Sequence, residues 1–95
     1  MIIDKLNFDT YKINNIEIKD EWEEIIKKHV AEQLENDEFG REFDKCSYIR
    51  LTSIKADRSF KDINNSELEI ELYYDCPMEG HMTPDMTETI YVKIR

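Results

Sequence analysis

Glu67-Leu68-Glu69-Ile70-Glu71-Leu72-Tyr73-Tyr74-Asp75-Cys76 alternates apolar residues with acidic ones, Tyr73 taking one of the acidic positions. Successive side chains of a β-strand point to opposite faces. Leu68, Ile70, Leu72, Tyr74 and Cys76 therefore share one face, and Glu67, Glu69, Glu71, Tyr73 and Asp75 share the other. This is the pattern of an antiparallel-type strand with one face on a core and one in water. Carboxylates two residues apart along it stand roughly 6.6–6.8 Å from one another, the order of the charge spacing along a nucleic-acid backbone.

Two β-prone runs precede it at the start of the chain. Ile2, Leu6 and Phe8 fall in one phase and predict a short strand within residues 1–8. Tyr11-Lys12-Ile13 and Ile16-Glu17-Ile18 flank Asn14-Asn15. Asparagine tolerates the left-handed conformation that tight hairpin turns require, so this segment predicts a hairpin.

A helix is predicted over about residues 21–36. Trp22, Ile25, Ile26, Val30 and Leu34 recur at helical spacing, with His29 in the same stripe. Asp20 is expected to cap it, with Glu23 returning the bond. His29 is read as a core-edge histidine bonded to a backbone carbonyl rather than as a base. Phe39 and Phe43, around Gly40-Arg41, predict one further helical turn within residues 37–45.

Cys46 to Arg58 reads as a strand with a fault: Ile49 and Leu51 are in one phase, Ile54 and Ala56 in the other. A bulge near Thr52-Ser53 reconciles them. Asp62-Ile63-Asn64-Asn65-Ser66 is a turn cluster, and Ile90, Val92 and Ile94 define a last strand within Thr87–Arg95. The expected fold is α+β, a single domain over residues 1–95. One amphipathic helix packs on one face of an antiparallel sheet, in the order hairpin, helix, three-strand meander. The other sheet face stays wet and carries the carboxylates, Tyr73 and Tyr91.

The whole chain fits this size class. Ninety-five residues bury about 60–65% of their unfolded surface, enough for one modest core. A 40% apolar share and only two Gly and two Pro leave no room for a linker or low-complexity tract. With no apolar leader or long apolar run, the chain is expected to be cytoplasmic, with Cys46 and Cys76 reduced.

The formal net charge is −9, and residues 67–88 contain no Lys or Arg. Such a field disfavours direct contact with nucleic acid or an anionic membrane and attracts basic protein surfaces. Alternating acids on a strand most often form only a solvated face, and cross-strand Lys55, Lys93 or Arg95 could neutralise part of their charge. No P-loop, dinucleotide fingerprint or nucleophile elbow occurs, so neither an enzyme nor a cofactor is expected. The loop after Cys76 gathers Met78, Glu79, His81, Met82, Asp85 and Met86. Cys76, Met78, His81 and Met82 are soft-metal ligand types, but their spacing matches no closed zinc site. A Met-rich recognition loop is the preferred reading.

The expected partner-binding residues are Glu67, Glu69, Glu71, Tyr73, Asp75, Glu79, Met82 and Asp85. The leading expectation is an inhibitor that occludes a basic, nucleic-acid-binding surface of a partner such as a nuclease. That is a DNA-mimic strategy of the anti-CRISPR or anti-restriction type, encoded by a phage. An immunity protein or antitoxin holding a basic toxin is the alternative. A third is a self-associating assembly subunit that dimerises through the C-terminal edge strand.

Overall fold

The computed structural model describes residues 2–36, 43, 46–75 and 86–95. After a 3-10 turn at Ile2–Lys5 come β1 (Leu6–Phe8), β2 (Lys12–Ile13) and β3 (Ile16–Glu17). Helix α1 (Asp20–Glu35) follows, then β4 (Tyr48–Lys55), β5 (Glu67–Asp75) and β6 (Met86–Lys93). The architecture is α+β: a four-stranded sheet in the order β1-β4-β5-β6, a two-stranded β2-β3 hairpin, and one helix.

The meander β4-β5-β6 is antiparallel, as the alternation requires. The main sheet as a whole is mixed, because β1 pairs with β4 in parallel, Leu6 beside Ile49 and Phe8 beside Leu51. A parallel pair cannot be closed by a tight turn; it needs a long crossover. The hairpin and α1 together form that crossover, and the helix is thereby laid on the sheet. The initial strand thus belongs to the main sheet, whereas the hairpin forms a small sheet of its own.

The core lies between α1 and the sheet. Trp22, Ile26, Val30, Ala31 and Leu34 of α1 are buried in one cluster with Ile49, Leu51, Ile54, Leu68, Ile70, Leu72, Tyr74, Ile90, Val92 and Ile94. Leu68, Ile70 and Leu72 are 0% exposed. Trp22 meets Phe60 edge-on at 5.7 Å between ring centroids, and Phe43 meets Tyr74 likewise at 5.4 Å. Such edge-to-face pairs add about 0.5–1.5 kcal/mol to the burial itself. His29 bonds the carbonyl of Ile25 through Nδ1 at 2.8 Å, as its place in the stripe implies.

Two local expectations are corrected. Asp20 is not the helix cap. Lys19 takes that place in an extended conformation and no side chain caps the helix, while Lys19 O accepts from the N–H groups of Trp22 and Glu23. Asp20 sits inside the first turn, where its charge suits the positive end of the helix dipole. Cys46 is buried and disulfide-bonded, not a reduced thiol. The chain's other cysteine, Cys76, lies outside the described residues, as does all of the expected turn at residues 37–45 except the buried Phe43.

The hairpin turn is built on Asn14 and Asn15, both with positive φ (49° and 73°). They differ in what their side chains do. Asn14 Nδ2 donates to the carbonyls of Ala56 and Asp57 at 2.7 and 2.9 Å, and its Oδ1 accepts from Ala56 N at 3.2 Å. Asn14 therefore ties the hairpin to the end of β4, whereas Asn15 makes no side-chain hydrogen bond among the described residues. Asn14→Gly keeps the turn conformation and loses the tie, and is expected to cost about 1–2 kcal/mol. Asn15→Gly is expected to stay within about 0.5 kcal/mol of the parent chain. Urea unfolding of the two variants measures the difference; equal destabilisation would show that the tie contributes nothing.

Candidate functional site

The outer face of the sheet is assembled by the register of β5 with its neighbours. Core and solvent residues alternate along β5 without a fault, so Glu67, Glu69, Glu71, Tyr73 and Asp75 stand on the face away from α1. On β4 the phase changes once. Leu51 pairs with Leu72 but Ser53 pairs with Glu71, leaving Thr52 as the extra residue of a bulge. The bulge is what allows Ile49 and Leu51, and then Ile54, all to reach the core. It also turns Ser53 and Lys55 to the outer face, beside Glu71 and Glu69.

The acids divide into two halves by what lies across from them. In the first half Glu67 is in register with Lys93 of β6, and Glu69 with Lys55 of β4. In the second half Glu71 is flanked by Ser53 and Thr89, and Asp75 by Tyr48. The expected all-acidic ladder is thus interleaved with cations over Glu67 and Glu69, and bordered by hydroxyls over Glu71. The other cross-strand neighbour is Arg50, opposite Tyr73, with its guanidinium carbon 4.6 Å from the Tyr48 ring centroid. Tyr48 in turn stacks on Tyr73, with centroids 6.0 Å apart and planes 22° from parallel.

The hydrogen bonds seen on Glu69 and Glu71 come from neutral hydroxyls. Tyr91 Oη donates to Glu69 Oε1 at 3.2 Å, and Thr52 Oγ1 donates to Glu71 Oε1 at 3.1 Å. A hydroxyl fixes the carboxylate's position while leaving its charge in place. Its effect on Tyr91 is the reverse: the phenol is held above the ordinary value of 10.0, first because it donates to Glu69 and then because of that group's negative charge. Tyr91 is 60% exposed, and Thr87, Thr89 and Lys93 of the same strand are exposed with it.

Five of the anticipated partner-binding residues, Glu67, Glu69, Glu71, Tyr73 and Asp75, are brought together on this face. Glu79, Met82 and Asp85, with the soft-metal candidates Cys76, Met78 and His81, lie outside the described residues. Sequence reading did not single out Tyr48 and Arg50. Their phase on β4 carried the signal, since residues alternating with Ile49 and Leu51 must face outward. Among the described residues no group of three or more His, Cys, Asp or Glu is placed to hold a metal ion, and no helix is long and apolar enough to cross a membrane. Comparison with protein-family models, curated proteins and solved structures finds no match to the chain.

The Tyr91–Glu69 contact has a signed pH dependence. Because the folded phenol titrates above its ordinary value, the contact stabilises the fold below about pH 10 and is lost as pH rises through the raised value. Glu69→Gln is expected to bring the Tyr91 titration down toward 10.0. Ring chemical shifts followed through alkaline pH, with Tyr91→Phe for assignment, measure it; an unmoved midpoint would remove Glu69 as the cause.

Proposed function

We propose that this chain is a small acidic binding protein that docks the outer face of its sheet onto a basic surface of a partner protein. The observation that carries the reading is the second half of the face. Glu71 and Asp75 flank Tyr73, which is stacked on Tyr48, and the guanidinium of Arg50, the cross-strand neighbour of Tyr73, lies against the Tyr48 ring. Tyrosine and arginine are the residues most enriched at energetic centres of interfaces, and here they are braced against each other before any partner arrives. The net charge of −9 supplies long-range attraction to a basic surface.

The lysines opposite Glu67 and Glu69 narrow the idea of a phosphate mimic. With lysines in register beside Glu67 and Glu69, we read Glu71 and Asp75 as the acids that meet a partner's cations, and give Glu67 and Glu69 a mainly structural part. A groove that handles nucleic acid is the kind of basic surface such a face fits. We therefore favour an antagonist of the anti-CRISPR or anti-restriction type, acting by occlusion and with no catalytic step of its own.

The test compares two charge reversals against the partner captured by the parent chain. Glu71→Lys with Asp75→Lys is expected to weaken binding at low salt by about tenfold or more, equivalent to about 1.4 kcal/mol, and to flatten the dependence on salt. Glu67→Lys, at the compensated end, is expected to change affinity less than threefold, under about 0.7 kcal/mol. Calorimetric titration at two salt concentrations reads both. Unchanged affinity in the double variant, with its circular dichroism intact, would eliminate this face as the docking surface.

A further inference from the structure

β6 ends the sheet. It pairs with β5 through eight uninterrupted register positions, from Glu67↔Lys93 to Tyr74↔Met86, and has no strand on its other side among the described residues. Ile94 N donates to Ser66 O at 2.8 Å, which continues the same register. Backbone groups alternate in direction along a strand, so the even-numbered residues of β6 bond to β5. The N–H and C=O groups of Thr87, Thr89, Tyr91 and Lys93 therefore point to the open edge.

Natural sheets protect such edges with charged side chains, lysine above all, or with proline, a bulge or a very short strand, and of these β6 carries only Glu88 and Lys93. β6 contains no proline and no register shift. It also carries two of the three exposed large hydrophobic residues among those described, Met86 at 40% and Tyr91 at 60%. In a chain of net charge −9, the segment Met86–Arg95 holds one acid, Glu88, and two bases, Lys93 and Arg95. It is the part of the sheet that a second acidic copy approaches with least repulsion.

We propose that β6 pairs with β6 of a second copy, antiparallel, about a twofold axis through Tyr91. Three arguments fix this register. A twofold axis normal to the sheet keeps outer faces together only if the paired numbers share parity. Centring on Tyr91 pairs Tyr91 with itself, Thr89 with Lys93 and Thr87 with Arg95, so that every outward-facing residue from 87 to 95 is used. Centring on Ile90 pairs Thr87 with Lys93 and Thr89 with Tyr91 but leaves Arg95 with no residue of β6 opposite, and centring on Thr89 leaves both Lys93 and Arg95 so.

The third argument is charge. β5 places Glu71 next to Thr89, so Lys93 of the second copy continues the row Ser53, Glu71, Thr89. The central row then reads Lys55, Glu69, Tyr91 and its mirror image, with opposite charges adjacent and no like charges facing each other. On the core side, Ile90 meets Val92 of the second copy. This pairing is independent of the docking reading above, because it uses the edge of the sheet and not Glu71, Tyr73 or Asp75.

Sedimentation velocity over about a hundredfold range of concentration tests the proposal. The parent chain is expected to move from its own mass of 11.5 kDa toward twice that value. Amide exchange at Thr89, Tyr91 and Lys93 is expected to slow in step. Thr89→Pro removes an outward N–H that takes no part in the β5–β6 ladder, so it is expected to keep the fold and remain a single chain throughout. Tyr91→Lys, which sets two ammonium groups at the axis, is the second variant, and is expected to raise the dissociation constant at least tenfold. A parent chain that keeps its single-chain mass across the range overturns the proposal. So does a Tyr91→Lys variant that dimerises as the parent does, or protection of these amides only on adding a different protein.

Discussion

The strict period of two along β5 is the constraint on which the rest of the molecule depends. β5 has a neighbour on each side, so its backbone polar groups are satisfied by β4 and β6, and its side chains alone decide which way it faces. A slip of one residue would send Leu68, Ile70 and Leu72 into water and four carboxyl groups into the core. Burying even one of those charges without a partner would cost several kcal/mol. The register of both neighbours follows from that penalty. β4 can meet it only by inserting Thr52, because its apolar residues change phase between Leu51 and Ile54.

The same bulge connects packing to surface chemistry. Without the extra residue, Ile54 would stand opposite Glu69 on the wet face, and Lys55 would be directed at the core. With it, Lys55 faces Glu69, Ser53 faces Glu71, and the Thr52 hydroxyl reaches the Glu71 carboxylate. One irregularity that completes the core thus also separates the balanced end of the outer face from the end where aromatic rings, Arg50 and acids are combined. The helix covers the opposite side because β1 is parallel to β4, and the chain must cross over between them.

Much of this was legible in the residues. Periodicity alone located β5, the α1 stripe, the fault in β4 and the Asn14-Asn15 turn, because each is a local pattern with a steep energetic penalty for being wrong. What remained hidden was relational. The parallel pairing of Leu6 with Ile49 joins residues far apart in sequence, and nothing in three residues of β-prone chain reveals their direction. Residues 67–88 lack Lys and Arg in sequence, yet Lys55 and Lys93 come beside Glu69 and Glu67 in space. A charge run read along one strand says little about the charge of a sheet. Asp20 looked like a cap because its residue type favours that role, but the helix starts one residue earlier than that role requires. A redox state for Cys46 argued from compartment rather than from its own surroundings differs from the disulfide that it forms.

The two margins of the sheet are unequal: β1 offers three residues and β6 eight. Growth of a sheet from molecule to molecule needs two extensible margins per molecule, one to receive and one to give. A chain with a single long margin exhausts it in the first symmetric encounter, and the remaining short ones provide too few backbone bonds to recruit a third. In the proposed pairing the brevity of β1 would therefore act as a stop signal against fibre formation, placed at the opposite border from the strand whose exposure would otherwise invite it.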